Sequence, residues 1–123
     1  MKLFFYLITL CFLFGNCKTQ ENKKTITTKE LKELLAKEKI QLVDVRTLKE
    51  VKQGIIKNAL FIDYFDADFS KKIKKKLKKD KPVYLYCRSG NRSVKACKIL
   101  QEKGYQAYSV LGGYNQWKKE YSN

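Results

Sequence analysis

Downstream of residue 24 the apolar positions recur in two periods, and each change of period marks an element. Thr27 and Glu30 form a capping-box pattern, after which Leu31, Leu34 and Leu35 share one helical face. Gln41-Leu42-Val43-Asp44-Val45-Arg46 reads as a buried strand ending in charge. Thr47 to Gln53 predicts a short helix closed by Gly54, and Ala59-Leu60-Phe61-Ile62 a second strand. Residues 66–79 predict a lysine-rich helix that Pro82 stops, with Phe65, Phe69, Ile73 and Leu77 as its apolar stripe. Val83 to Tyr86 is a third strand, and a helix follows from Arg92 to Lys103, ending at Gly104. Gln106 to Leu111 is a last strand, and Gly112-Gly113 leads into a helix carrying Trp117. Alternating strands and helices predict an α/β fold, a parallel β-sheet flanked by helices on both faces.

The N-terminus breaks this pattern. Lys2 precedes an apolar run, Leu3 to Phe14, in which only Thr9 is polar. A positive residue followed by a short apolar core is the layout of a secretory signal peptide, and the run is shorter than the roughly 20 residues that cross a bilayer. It ends at Phe14-Gly15-Asn16-Cys17 and turns polar at Lys18. A cysteine at that border resembles the lipobox of bacterial lipoproteins, with Asn16 and Phe14 departing from the usual residues. The resemblance implies cleavage before a lipidated Cys17. The expected organisation is a signal peptide over 1–16, a lipidated cysteine and polar tether over 17–24, and one folded domain over 25–123. The expected location is the bacterial cell envelope, outside the cytoplasm and lipid-anchored to a membrane.

Composition then narrows the chemistry. The 123 residues include no histidine, which removes Cys–His and Ser–His–Asp catalysis and histidine-ligated metal sites; neither a cofactor nor a metal is expected. The net charge of +15 calls for an anionic partner, and export turns that expectation away from nucleic acid towards small anions or a membrane surface. The lysines at 71–79 fall on the solvent side of their predicted helix, with anionic headgroups as a secondary partner. Of four cysteines, Cys11 lies within the signal peptide and Cys17 at its border. Cys97, in line with Val94 and Leu100, is expected to pack as a small hydrophobe, although a disulfide to Cys87 is open in an oxidising compartment.

Cys87 remains. It ends a strand and opens Cys87-Arg88-Ser89-Gly90-Asn91-Arg92-Ser93, a glycine-containing basic loop that becomes a helix. The helix N-terminus offers unpaired N–H groups and a positive dipole end, and Arg88 and Arg92 add charge. Such surroundings hold a thiol as its nucleophilic thiolate.

Three segments resemble the single-domain members of the rhodanese (sulfurtransferase) family. Leu42-Val43-Asp44-Val45-Arg46 with Glu50, Gly54, Ile56 and Ala59 matches its first signature. Cys87 to Ser93 is close to its C-R-S-G-x-R-S active loop, and Leu111-Gly112-Gly113 with Trp117 matches its last. The first signature departs over Gly54-Ile55-Ile56-Lys57-Asn58-Ala59, where the family reads G-H-I-P-G-A, although Asn58 tolerates a left-handed turn. The resemblance implies a rhodanese-like sheet in which Cys87 carries a sulfane sulfur as a persulfide. Arg88, Ser89, Gly90, Asn91, Arg92 and Ser93 would bind a small anionic donor such as thiosulfate, with Arg88 and Arg92 either holding the donor or anchoring the loop, and a thiol or cyanide-like acceptor would take the sulfur. Asp44 and Arg46 would support the site by charge pairing. The C-x4-R spacing separates this loop from the wider C-x5-R cradle of cysteine phosphatases. A non-catalytic lipid-anchored binding or sensing module of the same fold is the alternative from another class. Thiol-redox chemistry lacks a C-x-x-C motif.

Overall fold

A computed structural model describes residues 24–121; the signal-peptide, lipidation and tether expectations at 1–23 lie outside the described residues. Five strands and five helices alternate: β1 Thr25–Ile26, α1 Thr28–Lys37, β2 Gln41–Asp44, α2 Leu48–Val51, β3 Leu60–Phe61, α3 Phe69–Lys76, β4 Val83–Tyr86, α4 Asn91–Glu102, β5 Ala107–Val110 and α5 Gly113–Tyr121. The strands form one sheet in the order β1-β5-β4-β2-β3, every neighbouring pair parallel. All strand C-termini therefore lie at one end, and β4 is central. The expected α/β fold with helices on both faces is present. Val43, Leu85, Ile73, Ala96 and Leu100 pack with α3 and α4 on one face. Leu31, Leu42, Tyr84, Tyr86 and Val110 pack with α1 and α5 on the other.

β4 is buried at every position because both its edges are paired and both its faces covered. The one-turn α2 is held at its start by a full capping box: Glu50 N donates to the Thr47 hydroxyl at 3.4 Å, and Thr47 N donates to the Glu50 carboxylate at 2.9 Å. At α1, Thr27 caps by accepting from Glu30 N at 3.0 Å. Asn58 does adopt a left-handed conformation, φ 69°, so the departure from the first signature still makes its turn.

Four expectations are corrected. β1 was not anticipated; it is a two-residue edge strand that exists through its pairing with Ser109 and Val110. α3 ends at Lys76, well before Pro82. Leu77 turns extended there and buries its side chain, and Gln41 then fixes the connection. Its amide accepts from Lys78 N at 2.7 Å and donates to the carbonyls of Lys78 and Lys81 at 3.0 and 3.2 Å. Phe65 precedes α3 and is exposed, leaving Phe69, Ile73 and Leu77 as the buried stripe. Val94 is exposed too: it lies on the solvent side of the first turn of α4, whereas Ala96, Cys97 and Leu100 reach the core.

Candidate active site

The site grows out of β4. Its last residue, Tyr86, pairs with Asp44 of β2, so the chain leaves the centre of the sheet as it reaches Cys87. Gly90 adopts φ 110° and caps α4, turning the backbone back over the thiol; its N–H donates to Cys87 Sγ at 3.1 Å. Ser93, one turn into α4, lies 3.5 Å from the same sulfur through its hydroxyl. That hydroxyl also bonds the Gly90 carbonyl at 3.1 Å and the Ser109 hydroxyl on β5 at 2.7 Å. Ser93 and Ser109 are both buried, so the sulfur faces an oriented polar pair set in an apolar layer.

The carbonyls at the start of the loop are drawn the other way. Tyr114 N donates to Cys87 O at 2.7 Å and Asn115 N to Arg88 O at 2.9 Å. The N-terminus of α5 thus finds its partners in the loop, and the loop's acceptors are turned from the thiol. This contact needs Gly113, at φ 57°, where a Cβ would lie 2.4 Å from Cys87 O.

Burial alone pushes the Cys87 thiol up. Hydrogen bonds from the Ser93 side chain and from the backbone of Ser93, Gly90 and Ser89 outweigh it, and the net effect lowers the thiol below its ordinary value. Cys97, equally buried but without such donors, is pushed up to about 12, chiefly by burial and then by the Cys87 charge. Both thiols are free, so the open possibility of a Cys87–Cys97 disulfide is not realised.

The two loop arginines part company. Arg88 and its neighbour Ser89 are exposed, as is Asn91. Arg92 turns to α2, where Nη1 and Nη2 donate to Glu50 Oε2 and Oε1 at 2.8 and 2.7 Å. Of the roles expected of Arg92, this geometry displays loop anchoring. The pairing raises Arg92, first through the Glu50 hydrogen bonds and to a lesser degree through the charge of Cys87. The groups that lower the thiol are those of the loop: the Ser93 hydroxyl and the backbone of Ser93, Gly90 and Ser89.

Asp44 and Arg46 form a buried pair beside this loop. Arg46 Nη2 donates to Asp44 Oδ2 at 2.7 Å and to the Gly54 carbonyl at 2.7 Å, while Nε donates to Asp44 Oδ1 at 3.0 Å. The guanidinium sits 4.1 Å from the Tyr114 ring centre. The Tyr86 hydroxyl accepts from Ile56 N at 3.0 Å, and burial followed by the Asp44 charge holds it well above its ordinary value. Val45, between the pair, packs in the same layer as Cys87, whereas Tyr86 lies in the opposite layer with Ile56. The pair therefore fixes the strand end and α5 from behind the sheet.

Sequence reading missed Glu50 as the partner of Arg92, Ser109 behind Ser93, and Gly113 as the seat of the loop. A Thr47-x-x-Glu50 capping-box pattern could have drawn attention to Glu50, and strand alternation to Ser109; neither announces its partner. Among the described residues no group of three or more His, Cys, Asp or Glu is placed to hold a metal ion.

Comparison with known proteins places this geometry. Residues 27–120 match the rhodanese-like domain family. The chain is 41% identical over 98 residues to the putative sulfurtransferase YtwF of Bacillus subtilis, covering 79% of this chain and 92% of that protein. It is 33% identical over 96 residues to the thiosulfate sulfurtransferase GlpE of Coxiella burnetii, covering 77% and 87%. A crystal structure of a rhodanese-like domain protein from Staphylococcus aureus superposes with a TM-score of 0.70 at 37% identity, covering 76% of this chain and 90% of that one.

Proposed function

The chain belongs to the rhodanese-like domain family and is a rhodanese-type sulfurtransferase, and from that premise we propose that it carries a sulfane sulfur as a persulfide on Cys87. The observation behind this assignment is the Gly90 N–H aimed at Cys87 Sγ at 3.1 Å, with the Ser93 hydroxyl 3.5 Å away. Preorganised donors at a sulfur favour charge on it both before and after loading.

The donor is thiosulfate-like. Cys87 thiolate attacks the outer sulfur of thiosulfate, a new S–S bond forms at Cys87, and the old S–S bond breaks. Sulfite leaves with the bonding electron pair. The charge then rests on the terminal persulfide sulfur, at the loop N–H groups, while exposed Arg88 offers positive charge to the arriving dianion. An acceptor thiolate or cyanide attacks that terminal sulfur, and Cys87 departs as thiolate. No electron is gained or lost overall, and the loop that stabilised the nucleophile stabilises the same species as leaving group.

Incubating the protein with thiosulfate and cyanide should release thiocyanate, and intact-mass analysis should find one added sulfur on the wild type and none on Cys87→Ala. A wild type that gains no sulfur, or a Cys87→Ala variant that gains it equally, would refute the persulfide assignment.

Export and lipid anchoring at Cys17 complete the proposal, supported by the apolar run Leu3 to Phe14 and the cysteine at its polar border. Two or more acyl chains would hold the domain at a membrane where one would not. A fatty-acid probe should label the wild type and not Cys17→Ser; label that survives the substitution removes the anchor.

A further inference from the structure

The exposed large hydrophobic residues among those described are Leu48, Ile55, Phe65, Val94 and Leu111. Single exposed apolar side chains are ordinary, but all of these except Ile55 share a location. Leu48 opens α2 after β2, Phe65 follows β3, Val94 lies in the first turn of α4 after β4, and Leu111 directly follows β5. In a sheet whose strands are all parallel, each of these positions is at the C-terminal end, the end at which β4 delivers Cys87.

Backbone and side-chain contacts bring them around the loop. Gly90 lies against Gly112 N and Val110 O, which flank Leu111. Arg92 reaches α2 through Glu50, two residues from Leu48, and Val94 N donates to the Gly90 carbonyl at 3.2 Å. Tyr64, edge-on to Phe65, donates its N–H to Val45 O at 3.1 Å, and Val45 in turn bonds the end of β4. From β5 to β3 the collar spans three strand spacings, roughly 15 Å. That is far wider than a small sulfur donor. Cavities of about 610 and 650 Å³ lie instead at the other end of the sheet, lined by residues such as Thr25, Gln106 and Lys39.

The charges on this rim are predominantly positive. Arg88, Lys49, Lys52 and Lys95 are exposed there. Its acids are largely engaged: Glu50 by Arg92, Asp66 and Asp68 by Lys72, while Asp63 accepts from Phe65 N at 2.9 Å. Cys87 itself is only 1% exposed. A nucleophile must press against the loop to reach a sulfur held there.

We propose that the collar of Leu48, Phe65, Val94 and Leu111 docks a polypeptide acceptor, one that presents a cysteine thiol among apolar and acidic side chains. This rests on the Cys87 persulfide reading and names the acceptor class for it. The acceptor thiolate attacks the terminal persulfide sulfur, the Cys87–S bond breaks, and the acceptor leaves as its own persulfide while Cys87 returns to thiolate. The apolar contacts supply affinity, and Arg88 with the rim lysines selects acidic polypeptides and speeds encounter.

The test uses full-length protein first loaded with thiosulfate, with the added sulfur verified by mass. Failure to load speaks against the persulfide reading alone. Loaded protein is then mixed with cyanide, with glutathione, or with a synthetic peptide whose cysteine is flanked by leucine and glutamate. The peptide should be persulfidated about tenfold faster than glutathione, the gain expected from burying a few tens of Å² of apolar surface. In the triple variant L48S/F65S/L111S that advantage should vanish, with thiocyanate formation from cyanide unchanged. Equal rates for peptide and glutathione, or a triple variant that keeps the peptide advantage, would overturn the proposal. So would a triple variant that loses only phosphatidylglycerol-vesicle binding, or only self-association in sedimentation, because the collar would then serve a bilayer or a second copy.

Discussion

Glu50 grips Arg92 with both carboxylate oxygens, at 2.7 and 2.8 Å, across 42 residues of sequence. The same carboxylate caps α2 through Thr47. One side chain therefore fixes the start of α2 and ties it to the first turn of α4, the turn that carries Ser93 towards Cys87. Arg92 foremost lowers the Glu50 carboxyl to about 2, against an ordinary 4.5, with burial opposing and Thr47 assisting.

That depression sets a pH dependence of stability. The folded state binds its Glu50 proton less readily than the unfolded state, so the pair stabilises fully above pH 4.5 and its contribution is lost as pH falls towards about 2. Because the pair is partly exposed, solvent screening limits it to about 1 kcal/mol. Glu50→Gln should therefore lower the urea midpoint at pH 7, and the gap from wild type should narrow steadily below pH 4.5. A gap that stays constant down to pH 3 would show that the charge is not what matters.

The thiol gives a second profile with its own sign. Deprotonation of Cys87 is favoured in the fold, so the rate of sulfur loading from thiosulfate should reach half its maximum below pH 9.0, the ordinary thiol value. Ser93→Ala removes the foremost group that offsets burial, and the half-maximum should move upward. It also strips the buried Ser109 hydroxyl of its 2.7 Å partner, costing about 1–3 kcal/mol in a denaturation curve. An unchanged loading profile in Ser93→Ala would assign the lowered thiol to backbone N–H groups alone.

Asp44 and Arg46 permit a separation of support from chemistry. Removing one member of a buried ion pair costs about 3–5 kcal/mol, because the other is left charged and unpaired. Asp44→Ala should show that loss in urea. Its folded fraction should nonetheless load sulfur with the wild-type pH profile, since Val45 and Cys87 share one layer while Tyr86, beside Asp44 in register, belongs to the other. A shifted profile would place the carboxylate in direct electrical contact with the thiol.

These relationships were unequally legible before the structure. The loop from Cys87 to Ser93 was readable because its parts are contiguous: a strand end, a glycine able to take positive φ, and a helix start. The parallel sheet was readable from the alternation of periods. Glu50 with Arg92, and Ser93 with Ser109, were not, because those partners meet only after the chain has crossed the sheet. β1 failed for a related reason: two residues carry no period, and only pairing with β5 makes them a strand. Phe65 and Val94 fit helical spacing yet stay exposed, because spacing does not report where a helix begins: Phe65 precedes α3, and Val94 lies in the first turn of α4. The end of α3 was misplaced because Leu77 and the Gln41 amide, rather than Pro82, decide it.

The two glycines on either side of the thiol should respond differently to alanine. At Gly90 an added Cβ would meet only Gly112 N and Val110 O, both at 3.9 Å, so the cost is that of holding alanine at φ 110°, about 1–2 kcal/mol. At Gly113 the new carbon would lie 2.4 Å from Cys87 O and 2.8 Å from Arg88 O, both backbone atoms. Relief requires α5 to withdraw, which breaks the hydrogen bonds from Tyr114 N and Asn115 N and frees the loop carbonyls to turn. Gly113→Ala should thus cost more than about 3 kcal/mol and reduce sulfur loading even where folded protein persists. Gly90→Ala should keep most of its stability and still load Cys87. Equal destabilisation of the two, read from urea midpoints, would mean that α5 yields without disturbing the loop, and the seat assigned to Gly113 would be wrong.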